Sequence, residues 1–493
     1  MDSNEYYFPP YLHRHPDTTV INDHPRLKKV RNLYRKKLKA NSETVKDSMS
    51  QIVQFLDRNI GFIYPNILYI AIPFNDATIK LFYGKERLKI IKNLSNEFIR
   101  IGFNKLIIDI KNSEILDTSI IDVLNAFFAN AFTYKALICD DLAHKYVMPH
   151  LHHLNKFFFY SPEDAQFDFL RYHGNLLRVH AIALSGDITK NNVEGCFRRL
   201  GISSASYIDL IVLDLNRLRN LDLIASTMLL ILCHSFAHKY GVLYKIIMPN
   251  YGSAKAELIE SRFAKIMEPY MYEPLKSFAK VISEREEFTK LRGPRYGTIA
   301  FSPETYSNLL EIFIDTFESL MSSRNFLYTR YIRHFGNRIW QVLWKNLLSA
   351  MKELCDNVKE HANGTGYIAF LISKEGILQI CICDVGIGLE KGLKDNYTFK
   401  IKSSDEAIIK ALNLKKYMKY RKKDKRGGYG LNTVKKIVAG FGGEMSIRTG
   451  TSVVNFKYNS DDKELVIDSV KKGLIRLDGT QFFINVPLQK YGP

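Results

Sequence analysis

Two short apolar runs that end in aspartate constrain this chain more than any other feature. They are LIID (Leu106–Asp109) and LIVLD (Leu210–Asp214), and each is followed at the same spacing by a second aspartate, Asp117 and Asp222. Apolar runs of this length, bounded by turn residues, read as buried strands. Around the first run, the pattern predicts a strand over Ile67–Phe74 and a helix over Arg87–Ile101 before it. A helix over Thr118–Thr133 and a strand over Lys135–Cys139 come after it. The second run has a predicted strand Val179–Ile188 and a helix near Asn192–Leu200 before it. It is followed by a helix Ala225–Tyr240 and a strand Val242–Met248. Strands alternating with helices predict mixed or parallel sheets under helical layers, and 493 residues leave room for several domains. The expected class is an α/β multidomain protein.

The sequence carries a formal net charge of +19, so an acidic partner is expected: nucleotide, nucleic acid or an anionic surface. Part of that charge lies in Arg26–Lys39, within a basic N-terminal arm spanning residues 1–60; a solvated helix face is the plain reading of such a run. The start, MDSNEYYFPP, lacks the basic-then-apolar order of a signal peptide. The longest strongly apolar run, Leu223–Cys233, is short of the roughly 20 residues a membrane helix requires. A cytoplasmic protein with no membrane partner is therefore expected. The scattered cysteines lack paired metal spacing and read as small apolar residues in a reducing compartment. His234 and His238 sit one helical turn apart, but Ser235 stands where a metalloprotease helix needs glutamate.

The two repeats, over 61–160 and 161–255, resemble STAS domains, in which a strand runs into an Asp-Thr-Ser or Asp-Ser-Ser turn that opens a helix. The first repeat reads LDTS, and the resemblance makes Ser119 a candidate phosphosite. The second reads LDLIAS, with Ile224 at the corresponding place. Read from the residues alone, Asp117 or Thr118 simply caps the helix. Residues 256–334 read as a helical connector, interrupted at Gly293–Pro294.

The last third of the chain carries a different set of signals. A predicted helix over Trp340–Ala362 places Glu353, Asn357 and His361 on one stripe, since each is one turn from the next. Such a stripe is a poor choice for packing alone, because each desolvated polar group needs a partner. An amide oxygen that ligates Mg²⁺, beside a carboxylate that takes a proton, would account for it. A hairpin follows and ends in Asp384-Val-Gly386-Ile-Gly388, a carboxylate at the end of a buried strand beside two glycines that admit a flat ring. The basic stretch Lys415–Arg426 then runs into Gly427-Gly428-Tyr429-Gly430-Leu431, which opens a helix. Glycines feeding a helix N-terminus form a phosphate cradle, and no P-loop motif is present. Gly442-Gly443-Glu444 begins a strand, and the chain closes with GTQFFINVPL, from Gly479.

This order of motifs, over 335–493, resembles the GHKL superfamily of gyrase, MutL, histidine kinases and anti-sigma serine kinases. His361 is most similar to the anti-sigma kinase branch. The resemblance implies a Bergerat-type α/β sandwich that binds ATP and Mg²⁺. Glu353 would be the catalytic carboxylate and Asn357 the Mg²⁺ ligand. His361, Asp384, Gly386, Gly388, Arg426, Gly428, Gly430 and Leu431 would line the nucleotide pocket. Thr480 is expected as the adenine-side threonine, with Thr451 the weaker choice, because a segment containing Ser452–Val470 is inserted before the closing motif. Three activities follow as expectations: a signalling switch that phosphorylates serine or threonine of a regulatory protein partner, a MutL-like ATPase that cycles as a homodimer on nucleic acid, and a nucleotide sensor without turnover.

Overall fold

The computed structural model describes residues 20, 27–32, 43–111, 113–114, 117–129, 132–151, 158–199, 208–250, 252–261, 263–267, 270–272, 295–301, 345–358, 366–373, 376–398, 400–414 and 430–487. Among these residues the strands form three sheets. The first has the order β1 (Ile60–Ile63), β2 (Ile67–Ala71), β3 (Lys105–Asp109), β4 (Tyr134–Ile138), β5 (Phe158–Phe159). β1 is antiparallel to β2, and the other pairings are parallel. Its helices are α1 (27–32), α2 (Glu43–Asn59), α3 (Asp76–Phe82), α4 (Lys85–Arg100), α5 (Thr118–Phe128), α6 (Asp141–Val147) and α7 (Pro162–Tyr172). The strand and helix expected around LIID all form, with the ends shifted by a few residues. The stretch read as a basic arm is partly structural: Leu27 and Val30 of α1 and Ile52 and Leu56 of α2 are fully buried, while Lys28 and Lys29 face solvent. Apolar residues at helical spacing hold the arm on the core and turn its charge outward.

The second sheet, β6 (Val179–Ile188), β7 (Leu210–Leu221) and β8 (Leu243–Ile247), is parallel throughout. α8 (Val193–Arg199) joins β6 to β7, and α9 (Leu223–Tyr240) joins β7 to β8; α10 (Ser253–Glu260) and α11 (Phe263–Met267) follow. The paired aspartates of the repeat perform the same backbone task twice. Asp109 accepts from the Lys111 amide and Asp214 from the Asn216 amide, each at 2.9 Å. Asp117 caps α5 through the Ser119 amide, and Asp222 caps α9 through the Ala225 amide. A carboxylate at a helix N-cap satisfies an orphan amide and the helix dipole together.

The third sheet has the order β14-β13-β12-β15-β11-β10-β9 and is antiparallel at every pairing. Its strands are β9 (Arg295–Phe301), β10 (Gly366–Ile372), β11 (Ile377–Asp384), β12 (Glu444–Gly450), β13 (Ser452–Asn459), β14 (Glu464–Lys471) and β15 (Leu477–Pro487). One face is covered by α12 (345–358), α14 (Ser404–Leu412) and α15 (Gly430–Gly440), and α13 (Gly388–Asn396) packs on α14. The inserted segment is the β13–β14 hairpin, which widens this sheet at one edge. Within the stretch read as a helical connector interrupted at Gly293–Pro294, β9 forms directly after the interruption. Its partner β10 is distant in the chain, so no local pattern could reveal the pairing.

The other face of the third sheet is covered by the second repeat. α9 is buried from Leu223 to Ala237 on every side. A helix with no polar face has to be enclosed by two layers. As the crossover between parallel strands it lies over its own sheet. Its remaining surface packs on β10, β11 and β15, where Tyr367, Ala369, Cys381, Cys383 and Phe483 join the same apolar core as both repeats. The His234 ring nitrogen hydrogen-bonds the Tyr367 hydroxyl in this interface, and Tyr270 lies against His234 at 5.4 Å between ring centres.

A buried ionic network joins the two repeats. Lys105 at the start of β3 meets Asp209 at 2.8 Å, with both side chains fully buried. Arg178 grips the same carboxylate through Nε at 2.9 Å and Nη2 at 2.8 Å, and Asn66 adds a third donor at 3.0 Å. Burial alone would raise the Asp209 carboxyl, but the Arg178 hydrogen bonds and the Lys105 charge outweigh it and hold the group at about 2. Removal of one member of such a network leaves buried charge uncompensated. Asp209→Ala is expected to cost about 3–5 kcal/mol in urea unfolding at neutral pH. In the unfolded chain this carboxyl titrates near 3.9. Its stabilising contribution is therefore complete above pH ~4 and disappears as pH falls toward ~2, a loss the variant lacks.

Candidate functional site

The polar stripe of α12 stands beside its packing stripe. Leu347, Ala350, Met351, Leu354, Cys355 and Val358 are buried against the sheet, and Glu353 and Asn357 occupy the adjoining, half-buried face. The Asn357 amide nitrogen donates to the Glu353 carbonyl at 2.8 Å. That bond fixes the carboxamide and leaves Oδ1 as an oxygen acceptor at the helix surface. Glu353 in turn lies against Gly430, the first residue of α15, so closely that a Cβ on that residue would overlap the carboxylate. Glycine lets the Glu353 side chain lie directly against the helix entrance, and a larger residue would make that side chain shift.

The second half of the site is built at the end of β11. Asp384 is buried and accepts two backbone hydrogen bonds, from Gly386 to Oδ1 at 2.7 Å and from Thr480 to Oδ2 at 3.0 Å. The Gln481 side chain donates to the Asp384 carbonyl at 3.3 Å. Gly479 adopts a left-handed backbone with φ 81°, and a Cβ there would overlap Asp384. Gly388, with φ 71°, opens α13 and approaches the Thr449 hydroxyl. Thr449 ties the two segments together, accepting from the Leu389 amide at 3.2 Å and donating to the Gly479 carbonyl at 2.9 Å. Leu389 and Leu431 pack against one apolar cluster under α13 and α14, which joins the Asp384 half to the α15 entrance.

The described residues therefore bring together Glu353 and Asn357 with Gly430 and Leu431, and Asp384 with Gly386, Gly388 and Thr480. His361, Arg426 and Gly428 lie outside the described residues. Ser119 belongs to the first sheet, at the start of α5, where its buried hydroxyl is held by Asp117. Sequence reasoning missed Thr449, Gly479 and Gln481. Gly479 was legible as the residue before Thr480, whereas Thr449 and Gln481 carry no motif and are identified by geometry alone. One further contact reaches the site from behind: Lys239, in the last turn of α9, pairs with Asp478 at 3.3 Å, one residue before Gly479.

Residues 344–490 match the family model of histidine kinase-, DNA gyrase B-, and HSP90-like ATPases. A search of curated proteins finds no match to the chain. The C-terminal segment is thus an ATP-binding domain of the GHKL type, carried by a mixed α/β multidomain chain. No helix among the described residues is long and apolar enough to cross a membrane.

Burial pushes the Asp384 carboxyl up to about 7 against the opposing pull of its two amide donors. The unfolded value is near 3.9, so the folded chain holds this proton more tightly than the unfolded chain. Through this group, stability is greatest below pH ~4 and declines as pH rises toward ~7. Thermal and urea unfolding of the nucleotide-free protein and of Asp384→Asn between pH 4 and 8 tests this. The stability difference, wild type minus variant, should fall with pH by up to about 1.4 kcal/mol per unit. A constant difference would show that the carboxyl is ionised throughout.

Proposed function

We propose that the C-terminal domain binds and turns over Mg-ATP and that the chain is a signalling switch, transferring the terminal phosphoryl group to serine or threonine of a regulatory protein partner. The observation that carries this reading is the placement of the Glu353 carboxylate against Gly430 at the entrance to α15. A helix entrance favours phosphate through its free amides and dipole. A carboxylate held beside it is positioned to take a proton from an attacking hydroxyl, or from water. Asp384 would accept a hydrogen bond from the adenine amino group. Gly386, Gly388 and Thr480 would frame the ring, and His361, Arg426, Gly428 and Leu431 would complete the phosphate side. The residues fit Mg²⁺: Asn357 offers a hard amide oxygen whose orientation is set by its bond to Glu353. Asn357 would hold the ion, which supplies charge neutralisation on the phosphates. Ser119 is proposed as a site of regulatory phosphorylation, since added charge there would break its hydroxyl contact with Asp117, the residue that caps α5.

A second reading is favoured by the packing of α9 behind the sheet. In it, ATP binding and hydrolysis drive a conformational or homodimerisation cycle on nucleic acid, for which the +19 charge gives the affinity. Binding without turnover is the remaining alternative.

Incubation of the protein with Mg²⁺ and γ-labelled ATP separates these readings. Label retained on protein supports phosphotransfer, free phosphate supports hydrolysis, and binding without either product supports a sensor. Glu353→Gln should bind ATP within a few-fold of wild type while turnover falls by about 10²–10⁴. Asn357→Ala should lose Mg²⁺-dependent ATP affinity, and normal Mg-ATP binding by that variant would overturn the site.

A further inference from the structure

The outer face of the third sheet changes character across its width. Where α9 covers it, the outward positions are Tyr367, Ala369, Cys381, Cys383 and Phe483, all buried and nearly all apolar. Beyond β15 the outward positions turn polar or charged, including Glu444, Ser446 and Arg448 on β12 and Asn455 and Lys457 on β13. α8 and the first turns of α9 stand opposite these strands without closing on them, leaving a cavity of about 250 Å³ between the second repeat and the ATPase sheet. Apolar residues at those positions would have sealed the junction as they do beside it. The polar set instead keeps it open.

Some of the cavity's polar groups are structural. Arg448, fully buried, is paired with Glu194 across the cleft and donates to the Ile475 carbonyl at 2.7 Å. Asn455 donates to Ser469 at 2.9 Å. Others are left unmatched. The Ser446 side chain is 1% exposed, and its hydroxyl has no hydrogen-bond partner among the described residues. The Lys190 ammonium, on the opposite wall, has no ion-pair partner among the described residues. Desolvation holds it below the usual lysine range despite the pull of Glu444. Lys457, Lys471 and Asp468, all exposed, and Glu444 complete the charged lining, and Asp222 lies close enough to act on Lys190. Ile224 and Met228, from the start of α9, form an apolar wall beside them with Phe483. A desolvated cation and a buried donor facing one cavity are each costly unless something accepts from them.

We propose that this cleft is a second ligand site, distinct from the nucleotide pocket, for a small molecule with an anionic head and a short apolar body. The head, phosphate or carboxylate, lies on Lys190 and Ser446, and the body lies against Ile224, Met228 and Phe483. The site is formed from both the second repeat and the ATPase sheet, so its occupant bridges them.

Calorimetric titration of the full-length protein with inorganic phosphate and, separately, with acetate tests the anion subsite. Wild type should bind at least one of the two saturably: phosphate for a phosphoryl head, acetate for a carboxylate head. Lys190→Met should weaken that binding by about tenfold or more, the loss expected for one charge-assisted contact. Ser446→Ala, which removes only one oxygen, should weaken it measurably without lowering the thermal midpoint of the ligand-free protein. Absence of binding by wild type, or unchanged affinity in both variants, overturns the proposal.

Discussion

The architecture depends on one helix that cannot tolerate water. From Leu223 to Ala237 α9 offers no polar face, and the burial of its whole circumference requires a second layer beyond its own sheet. The third sheet provides that layer. Its strands β10, β11 and β15 carry apolar residues on both faces, one set for α12, α14 and α15 and the other for α9. The mutual burial explains why one continuous core runs from α1 to Phe483 and why the repeats and the ATPase sheet are packed together.

Polar groups then give this apolar contact its register. The His234–Tyr367 bond, the Arg448–Glu194 pair and the Lys239–Asp478 pair each join the second repeat to the third sheet at a different place. A hydrophobic interface alone is permissive of small slips, whereas a buried hydrogen bond is costly when misaligned. The last pair ends one residue from the turn that supplies the Thr480 amide to Asp384. The position of the second repeat and the shape of the Asp384 half of the site are therefore mechanically continuous.

Much of this was legible in the chain. LIID and LIVLD announced their strands because parallel strands covered on both sides are apolar without alternation. A cap at Asp117 or Thr118 was legible in LDTS, and the matching spacing of Asp222 is answered by a second cap in the structure. Glu353, Asn357, Asp384 and Gly430 stood out in the chain because polar residues on a packing stripe and glycines at a helix entrance are poor choices for packing alone. The strand ILQICICD is apolar apart from Gln379 and its terminal aspartate, yet nothing in it said that the outer cover is α9. Contacts between segments so far apart leave no local periodicity. For the same reason β9 falls in the stretch read as a helical connector, and nothing local marks Thr449 and Gln481, which touch Gly479 and Asp384.

The shared core also bears on descent. A GHKL-type domain whose outer face is solvated can be moved by recombination to a new neighbour with little penalty. Here, excision would uncover α9 on one side and Tyr367, Cys381, Cys383 and Phe483 on the other, leaving both fragments prone to aggregation. A change on the surface of α9 that meets the third sheet has to be matched on the strands it covers.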